Sequence, residues 1–410
     1  MQPTNMEPVP TAVMWDESLL RYRFSDTHPM APVRLELTHA LAGHLGVLDA
    51  PTVTVLTPPM ATDEQLSAVH DADYIQRVRE ASQLDADGEG LGAERLEEIG
   101  LGTDDCPVFS DLHSSSARIA GGSLAAAEAL WSGDYQHVVN FAGGMHHAHR
   151  EKASGFCIYN DAALAIQRML DLGAERVAYV DLDAHHGDGV ESIFWDDPRV
   201  LTVSLHETGV ALFPGTGFAN DIGGTGAEGS AVNVALPAGS NDAAYLRAVH
   251  AVVPQLLRAF SPDVLVTQHG CDGHGRDPLA DLQLSVDGQR QLMLDARDWA
   301  YDYAGDRWLA LGGGGYSPFD VVPRAWTHLI AIAAGHPVAR AEPLPDAWLA
   351  LASQRSGMDL DELPETMHDA VDVWWRSWEV GFDPADPTDQ SVMATRKAVF
   401  PLHGLDPWFD

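Results

Sequence analysis

An α/β fold with a single, mostly parallel, multi-stranded sheet flanked by helices is predicted by three features of the 410-residue chain. Short apolar, β-favouring runs recur along it, helix-like stretches separate them, and several runs turn abruptly to Gly, His and Asp at their carboxyl ends. Strands covered on both faces read as continuous apolar runs, and open α/β sheets bind ligands where their strands end.

The strand-like runs are, in order, 11–16 (TAVMWD), 137–142 (HVVNFA), 177–183 (VAYVDLD), 200–206 (VLTVSLH), 232–236 (VNVAL), 264–269 (VLVTQH) and 307–311 (RWLAL). Helix-like stretches at 117–132, 161–172, 242–260, 287–304 and 320–334 alternate with them, as crossovers between parallel strands require. No linker-like break or internal repeat interrupts this order, so residues 1–336 read as one large domain. The remainder, 337–410, holds Trp374, Trp375 and Trp378 among many acids and prolines and reads as an extension packing on that domain.

Composition narrows the partners. Sixty acidic residues against 24 basic ones give a formal net charge of -36, which opposes nucleic-acid phosphate or an anionic membrane and makes a basic partner electrostatically easier. The acid-rich stretches Asp85–Asp105 and Asp359–Asp389 read as solvated surface. Cys106, Cys157 and Cys271 show no disulfide-framework or CxxC spacing, which fits a reducing compartment. No apolar stretch approaches the roughly 20 residues of a membrane span, and the amino terminus has neither a basic n-region nor an apolar h-region. A cytoplasmic location is expected.

Four segments carry chemistry. In VAYVDLDAHHGDG (177–189), period-2 alternation puts Asp181, Asp183 and His185 in one phase of a strand, the pattern of a metal site. VLVTQHGCDGHGRDP (264–278) repeats the arrangement and offers Asp272 as a third ligand beside Asp183 and His185. One imidazole and two carboxylates leave a divalent cation open positions for water and a substrate oxygen, and Zn²⁺ or Fe²⁺ suits such a mixed set. In VVNFAGGMHHAH (138–149), His146 and His147 follow two glycines on a loop, an arrangement better suited to general acid and base than to packing. Asp181 and Asp188 are left over from metal binding and can each accept a ring N–H from one histidine. WLALGGGGYSP (308–318) lacks the Lys-Ser/Thr of a phosphate loop; its four glycines instead let Tyr316 stand at a crowded rim and donate to a developing oxyanion.

HPMAPVRLELTH (28–39), GTDDCPVF (102–109), GGMHHAHREKASGFCIYND (143–161), DLDAHHGDGVESIF (181–194), SLHETGVALFPGTG (204–217), QHGCDGHGRDPL (268–279) and LGGGGYSP (311–318), in this order, resemble the zinc-dependent histone deacetylase family, most closely its bacterial acetoin-utilization (AcuC) branch. The resemblance runs from about Val13 to Pro337 and implies the arginase-deacetylase fold. It implies that Asp183, His185 and Asp272 bind zinc, that His146 and His147 form the catalytic pair on Asp181 and Asp188, and that Tyr316 is the electrophilic donor. It makes Phe156 and Phe213 walls of a tunnel for an acyl-lysine stem, places Gly155 on its floor, and gives Asp105 the substrate backbone amide. Family members also bind K⁺ or Na⁺, at positions matched by Asp181, Asp183, His185, Ser204, Leu205, Phe194, Asp197 and Val200, and Arg34 matches an arginine near an internal acetate channel. The implied substrate is an acetylated protein with an exposed acetyl-lysine, in this branch a metabolic enzyme such as acetyl-CoA synthetase.

Met145 stands where eukaryotic relatives have Trp, a swap from rigid to pliable expected to widen the inner cavity, and Ser204 to Phe213 lacks the lysine or tyrosine common in that loop. Three other readings compete. A two-manganese arginase-type enzyme would need acids where Gly187 and His274 stand. An acetylpolyamine amidohydrolase shares every catalytic group. A non-catalytic acetyl-lysine binding protein would not need them.

Overall fold

The computed structural model describes residues 6–83 and 92–410. Eight strands form its sheet: β1 Thr11–Met14, β2 Val53–Leu56, β3 His137–Asn140, β4 Val177–Asp181, β5 Val200–Glu207, β6 Ala231–Leu236, β7 Val264–Gln268 and β8 Trp308–Leu311. They lie in the order β2-β1-β3-β8-β7-β4-β5-β6 and every neighbouring pair is parallel. Seven of the eight coincide with the predicted runs.

The exception, β2, is an edge strand whose side chains are half-buried or exposed, so no continuous apolar run announces it. Register places the last residues of the central strands side by side. Asp181 of β4 pairs with Ser204 on one side and Gln268 on the other, Gln268 pairs with Leu311, and Leu311 with Asn140. The loops after β3, β8, β7 and β4 therefore start from one edge of the sheet and meet above it.

The longer helices are α1 Val33–His44, α2 Ala72–Ser82, α3 Leu112–Ser132, α4 Asp161–Asp171, α5 Asp242–Phe260, α6 Val286–Tyr303, α7 Val321–Ala333, α8 Asp346–Ser356 and α9 Pro387–Val399. Their starts are written in the sequence. Asn160, Asn241 and Ser285 accept the backbone N–H of Ala163, Ala244 and Gly288 at 2.9, 3.2 and 3.0 Å, each satisfying one of the donors a helix start leaves free. Helix α1 escapes the sequence pattern because Arg34 and Thr38 lie among its buried residues and interrupt the apolar stripe.

Apolar side chains of residues 337–410 join two clusters with the rest. Leu344, Trp348, Ala352, Leu363 and Met367 form a cluster with Leu37 and Leu41 of α1, and the Trp348 indole donates to the Leu37 carbonyl at 2.9 Å. Trp378, Val392, Met393, Val399 and Phe400 join the main core.

The expectation that Asp359–Asp389 is solvated holds for Asp359, Asp361, Glu362, Glu365, Asp372, Glu379 and Asp383, which are exposed, and needs correction at particular residues. Met367 and Asp389 are fully buried; Arg247 of α5 donates through two nitrogens to the Asp389 carboxylate, and its guanidinium lies 4.7 Å from the Trp378 ring. A buried charge survives only when paired, and the partner here comes from 142 residues away. Of the other acidic stretch, 85–91 lies outside the described residues, while Glu94, Glu97 and Glu98 are exposed as expected. All three cysteines are buried and free, and none of the described helices is long and apolar enough to cross a membrane.

Candidate active site

Strand β4 stops at Asp181, so Asp183 and His185 stand on the loop beyond it rather than on one strand face. The expected shared strand face is replaced by a loop that brings Asp183 and His185 back together. Asp183, His185 and Asp272 each place a ligand atom within 4.8 Å of the others, and all three are buried. His185 Nδ1 lies 2.8 Å from Asp272 and 3.2 Å from Asp183. Backbone donors hold the carboxylates: Ala184 N–H reaches Asp272 at 2.9 Å, and Gly314 N–H reaches Asp183 at 2.7 Å.

Burial and the charge of Asp183 push the Asp272 carboxyl up, a conflict between like charges that a cation would relieve. Two carboxylates and an imidazole nitrogen converging in this way fit a divalent cation. Gly314 is required there, since a Cβ would lie 2.0 Å from the Asp272 carboxylate.

His146 Nδ1 donates to Asp181 at 2.8 Å and His147 Nδ1 to Asp188 at 2.7 Å, the pairing expected from the sequence. The two rings are 3.9 Å apart between centroids. Burial works against charge on both. At His146 the Asp181 and Asp183 carboxylates prevail and push its pKa up to about 9, whereas burial and the neighbouring His146 hold His147 down at about 4.

Several residues that support this pair went unread in the sequence. The Asp161 carboxylate accepts the N–H groups of Gly144 and Met145 at 3.0 and 2.7 Å, and the Asn160 amide donates to the carbonyls of His146 and Ala148 at 3.1 and 2.9 Å. The Asn-Asp pair opening α4 looks in the sequence like an ordinary cap. Tyr179 and Gln268 are also coupled to the site, the phenol donating to Asp181 at 2.7 Å with the Gln268 amide oxygen 2.9 Å from the same hydroxyl.

Tyr316 is held by its backbone, whose N–H donates to Asp277 at 2.8 Å, while Arg34 donates to the carbonyls of Gly313 and Gly315 at 2.9 and 3.2 Å. Burial, then the charges of Asp272 and Asp183, push the phenol well above its ordinary pKa and keep it a donor. The Phe156 ring meets Tyr316 edge-on at 5.7 Å and Phe213 meets His147 edge-on at 5.0 Å, so both phenylalanines flank the site. Gly155 lies against His147, where a Cβ would fall 2.2 Å from the ring. Its N–H donates to Asp105 at 2.7 Å, a contact the sequence did not announce.

Met145 is buried and, with Arg34, lines a cavity of ≈ 10 Å³. Ser204 and Leu205 sit beside Asp181 on β5 and Val200 is that strand's first residue, whereas Phe194 and Asp197 lie before it, with the Asp197 carboxylate engaged by Arg199 at 2.6 Å.

The family described as Histone deacetylase domain matches residues 28–333. The acetoin utilization protein AcuC of Bacillus subtilis (strain 168) is 38% identical over 362 residues, 88% of this chain and 90% of its own length. Its namesake in Staphylococcus xylosus is 35% identical over 347 residues, 84% of this chain and 88% of its own, and that of Staphylococcus aureus (strain MSSA476) is 35% identical over 340 residues, 83% and 85%. With the parallel sheet, the Asp-His-Asp cluster and matches of this extent, the chain belongs to the histone deacetylase family and is a deacetylase, an amide hydrolase of a metal-dependent family on the arginase-deacetylase fold.

Proposed function

We propose that the protein hydrolyses the N-ε-acetyl-lysine amide of an acetylated protein and releases acetate, using one Zn²⁺ held by Asp183, His185 and Asp272; Fe²⁺ suits the same donors. The observation that carries this reading is the gathering of two histidine–carboxylate pairs and Tyr316 around a single three-ligand cluster. When bound, such a cation polarises the amide carbonyl and acidifies a water beside it.

The protein groups account for the proton movements. His147 is neutral, and its Nδ1–H on Asp188 leaves Nε2 as the acceptor for the proton of the attacking water. His146, whose Nδ1 donates to Asp181 and whose pKa that carboxylate pushes up, stands beside His147 as the second imidazole of the pair. Tyr316 donates to the carbonyl oxygen as it becomes an oxyanion. The His147 imidazolium then protonates the lysine amine as the C–N bond breaks.

An arginase-type second ion finds no support in this loop. A Cβ at Gly187 would lie 2.3 Å from the Asp181 carboxylate, leaving no room for an acid there, and His274 is engaged away from the cluster. For K⁺ or Na⁺ at the positions from Asp181 to Leu205, the support is family likeness. The relatives are named for acetoin utilization, and the substrate we put forward is an acetylated cytoplasmic enzyme of acetate metabolism such as acetyl-CoA synthetase.

Asp105 separates a peptidyl substrate from an acetylated polyamine. One of its oxygens holds Gly155, and the carboxylate is half-buried, so it can also accept backbone N–H groups of a peptide. Asp105→Ala is expected to lower kcat/KM for an acetyl-lysine peptide by about 1.5–3 kcal/mol, tenfold or more, and to affect a small acetylated amine much less. Equal losses on both substrates would reduce Asp105 to an anchor for Gly155. Faster turnover of acetylspermidine than of the peptide by the wild type would transfer the assignment to a polyamine amidohydrolase.

A further inference from the structure

A carboxylate from the carboxyl-terminal stretch closes a ring of contacts behind the site. Asp369 binds three separate elements: it accepts from His274 Nε2 at 2.8 Å and from the Val286 N–H at the start of α6 at 2.8 Å, and it pairs with the Arg324 guanidinium of α7 at 2.9 Å. The tautomer of His274 is fixed, because the Arg276 N–H donates to its Nδ1 at 3.0 Å and leaves the ring hydrogen on Nε2 to face Asp369. Arg324 also donates to Asp320, and Arg276 reaches Asp320 as well. The circuit runs from His274 through Asp369, Arg324, Asp320 and Arg276 back to His274.

Two of its members neighbour the groups on which the proposed chemistry depends. His274 is two residues beyond Asp272, and Asp320 is four residues beyond Tyr316. The side chains of His274 and Arg324 are only 5% and 1% exposed, so water does not substitute for these bonds. Hydrogen bonds to a charged acceptor are also the strong ones. Asp369 is in turn held from the other side, its own N–H donating to Asp287 at 3.1 Å and Arg340 binding Asp287 at 2.7 Å.

We infer that Asp369 is a positioning residue for the metal centre, a clamp by which the carboxyl-terminal stretch fixes the loop carrying Asp272 relative to the loop carrying Tyr316. The inference rests on Asp272 being a metal ligand. An amide at 369 would present hydrogens to one of the three donors, so the ring opens without loss of volume.

The test is the Zn²⁺ Kd of the full-length chain, measured by competition with a chromophoric chelator, alongside the Tm of the metal-free protein. Asp369→Asn and His274→Ala are expected to weaken Zn²⁺ binding about tenfold, in the range seen when supporting partners of metal ligands are removed. His274→Gln, whose terminal amide can still donate to Asp369, should restore most of the affinity. Arg340→Ala loosens the same stretch without touching His274 and should lower Tm while leaving the Kd unchanged. A wild-type Kd in Asp369→Asn and His274→Ala, or an equal loss in Arg340→Ala, overturns the clamp. A wild type that does not bind Zn²⁺ at all overturns the ligand assignment beneath it.

Discussion

Asp183→Ala is expected to strip the protein of its divalent cation, taking metal content from one ion per chain to near none and lowering turnover by roughly three orders of magnitude or more, because several kcal/mol of transition-state charge stabilisation leave with the ion. The geometry gives the reason. Asp183 lies within ligand distance of the other two members, and among the described residues this is the single His, Cys, Asp and Glu cluster of that kind. With Asp183 gone, the remaining imidazole and carboxylate are too few to hold a buried dication. The fold should survive at a cost of about 1–3 kcal/mol for the Gly314 N–H that loses its acceptor, partly offset by relief of the repulsion with Asp272. Elemental analysis of purified wild type and variant checks the metal, and thermal melts check the fold. Full metal content in the variant, or two stoichiometric ions in the wild type, would sink the assignment.

The parts of the architecture that could be read in advance are those whose cause is local. Seven strands are buried almost throughout, which favours apolar stretches within them, so runs such as Val177–Val180 and Val264–Val266 declare themselves. Edge strand β2 is relieved of that demand and is silent. In α1 the buried Arg34 is explained only by the Gly313 and Gly315 carbonyls it serves, 279 and 281 residues away. The burial of Asp389 is likewise invisible until Arg247 is placed against it.

The site follows the same division. The groups expected to meet substrate or metal are chemically distinctive and crowd into short motifs, and the structure brings Asp183, His185, Asp272, His146, His147 and Tyr316 to one edge of the sheet. The supporting residues are not distinctive. Gln268 matters because register sets it opposite Asp181, Asp277 because a turn aims it at the Tyr316 N–H, and Asn160 because its amide spans two carbonyls of the histidine loop. Amides and acids of this kind occur throughout the chain, and only the folded register assigns them partners.

Tyr316→Phe is the second large effect expected, and it separates transition-state chemistry from binding. The variant loses one hydroxyl. The backbone N–H to Asp277 and the edge-on contact with Phe156 do not involve that oxygen, so the loop and the ring should keep their places. Zn²⁺ affinity and Tm should therefore stay near wild type. Because burial and the two neighbouring carboxylates hold the phenol protonated across the working pH range, the lost function is donation of a hydrogen bond, not supply of a proton-accepting base. A donor aimed at developing oxyanion charge is worth about 3–4 kcal/mol, so kcat should fall by roughly two to three orders of magnitude with a much smaller change in KM. Since burial above all raises the phenol, the wild type should show no loss of activity from phenol ionisation as pH rises through the ordinary tyrosine range. Steady-state kinetics on one acetyl-lysine peptide measure both parameters. Unchanged turnover in Tyr316→Phe would leave the residue a packing aromatic and require another donor for the oxyanion, whereas a rise in KM at constant kcat would make it a binding group alone.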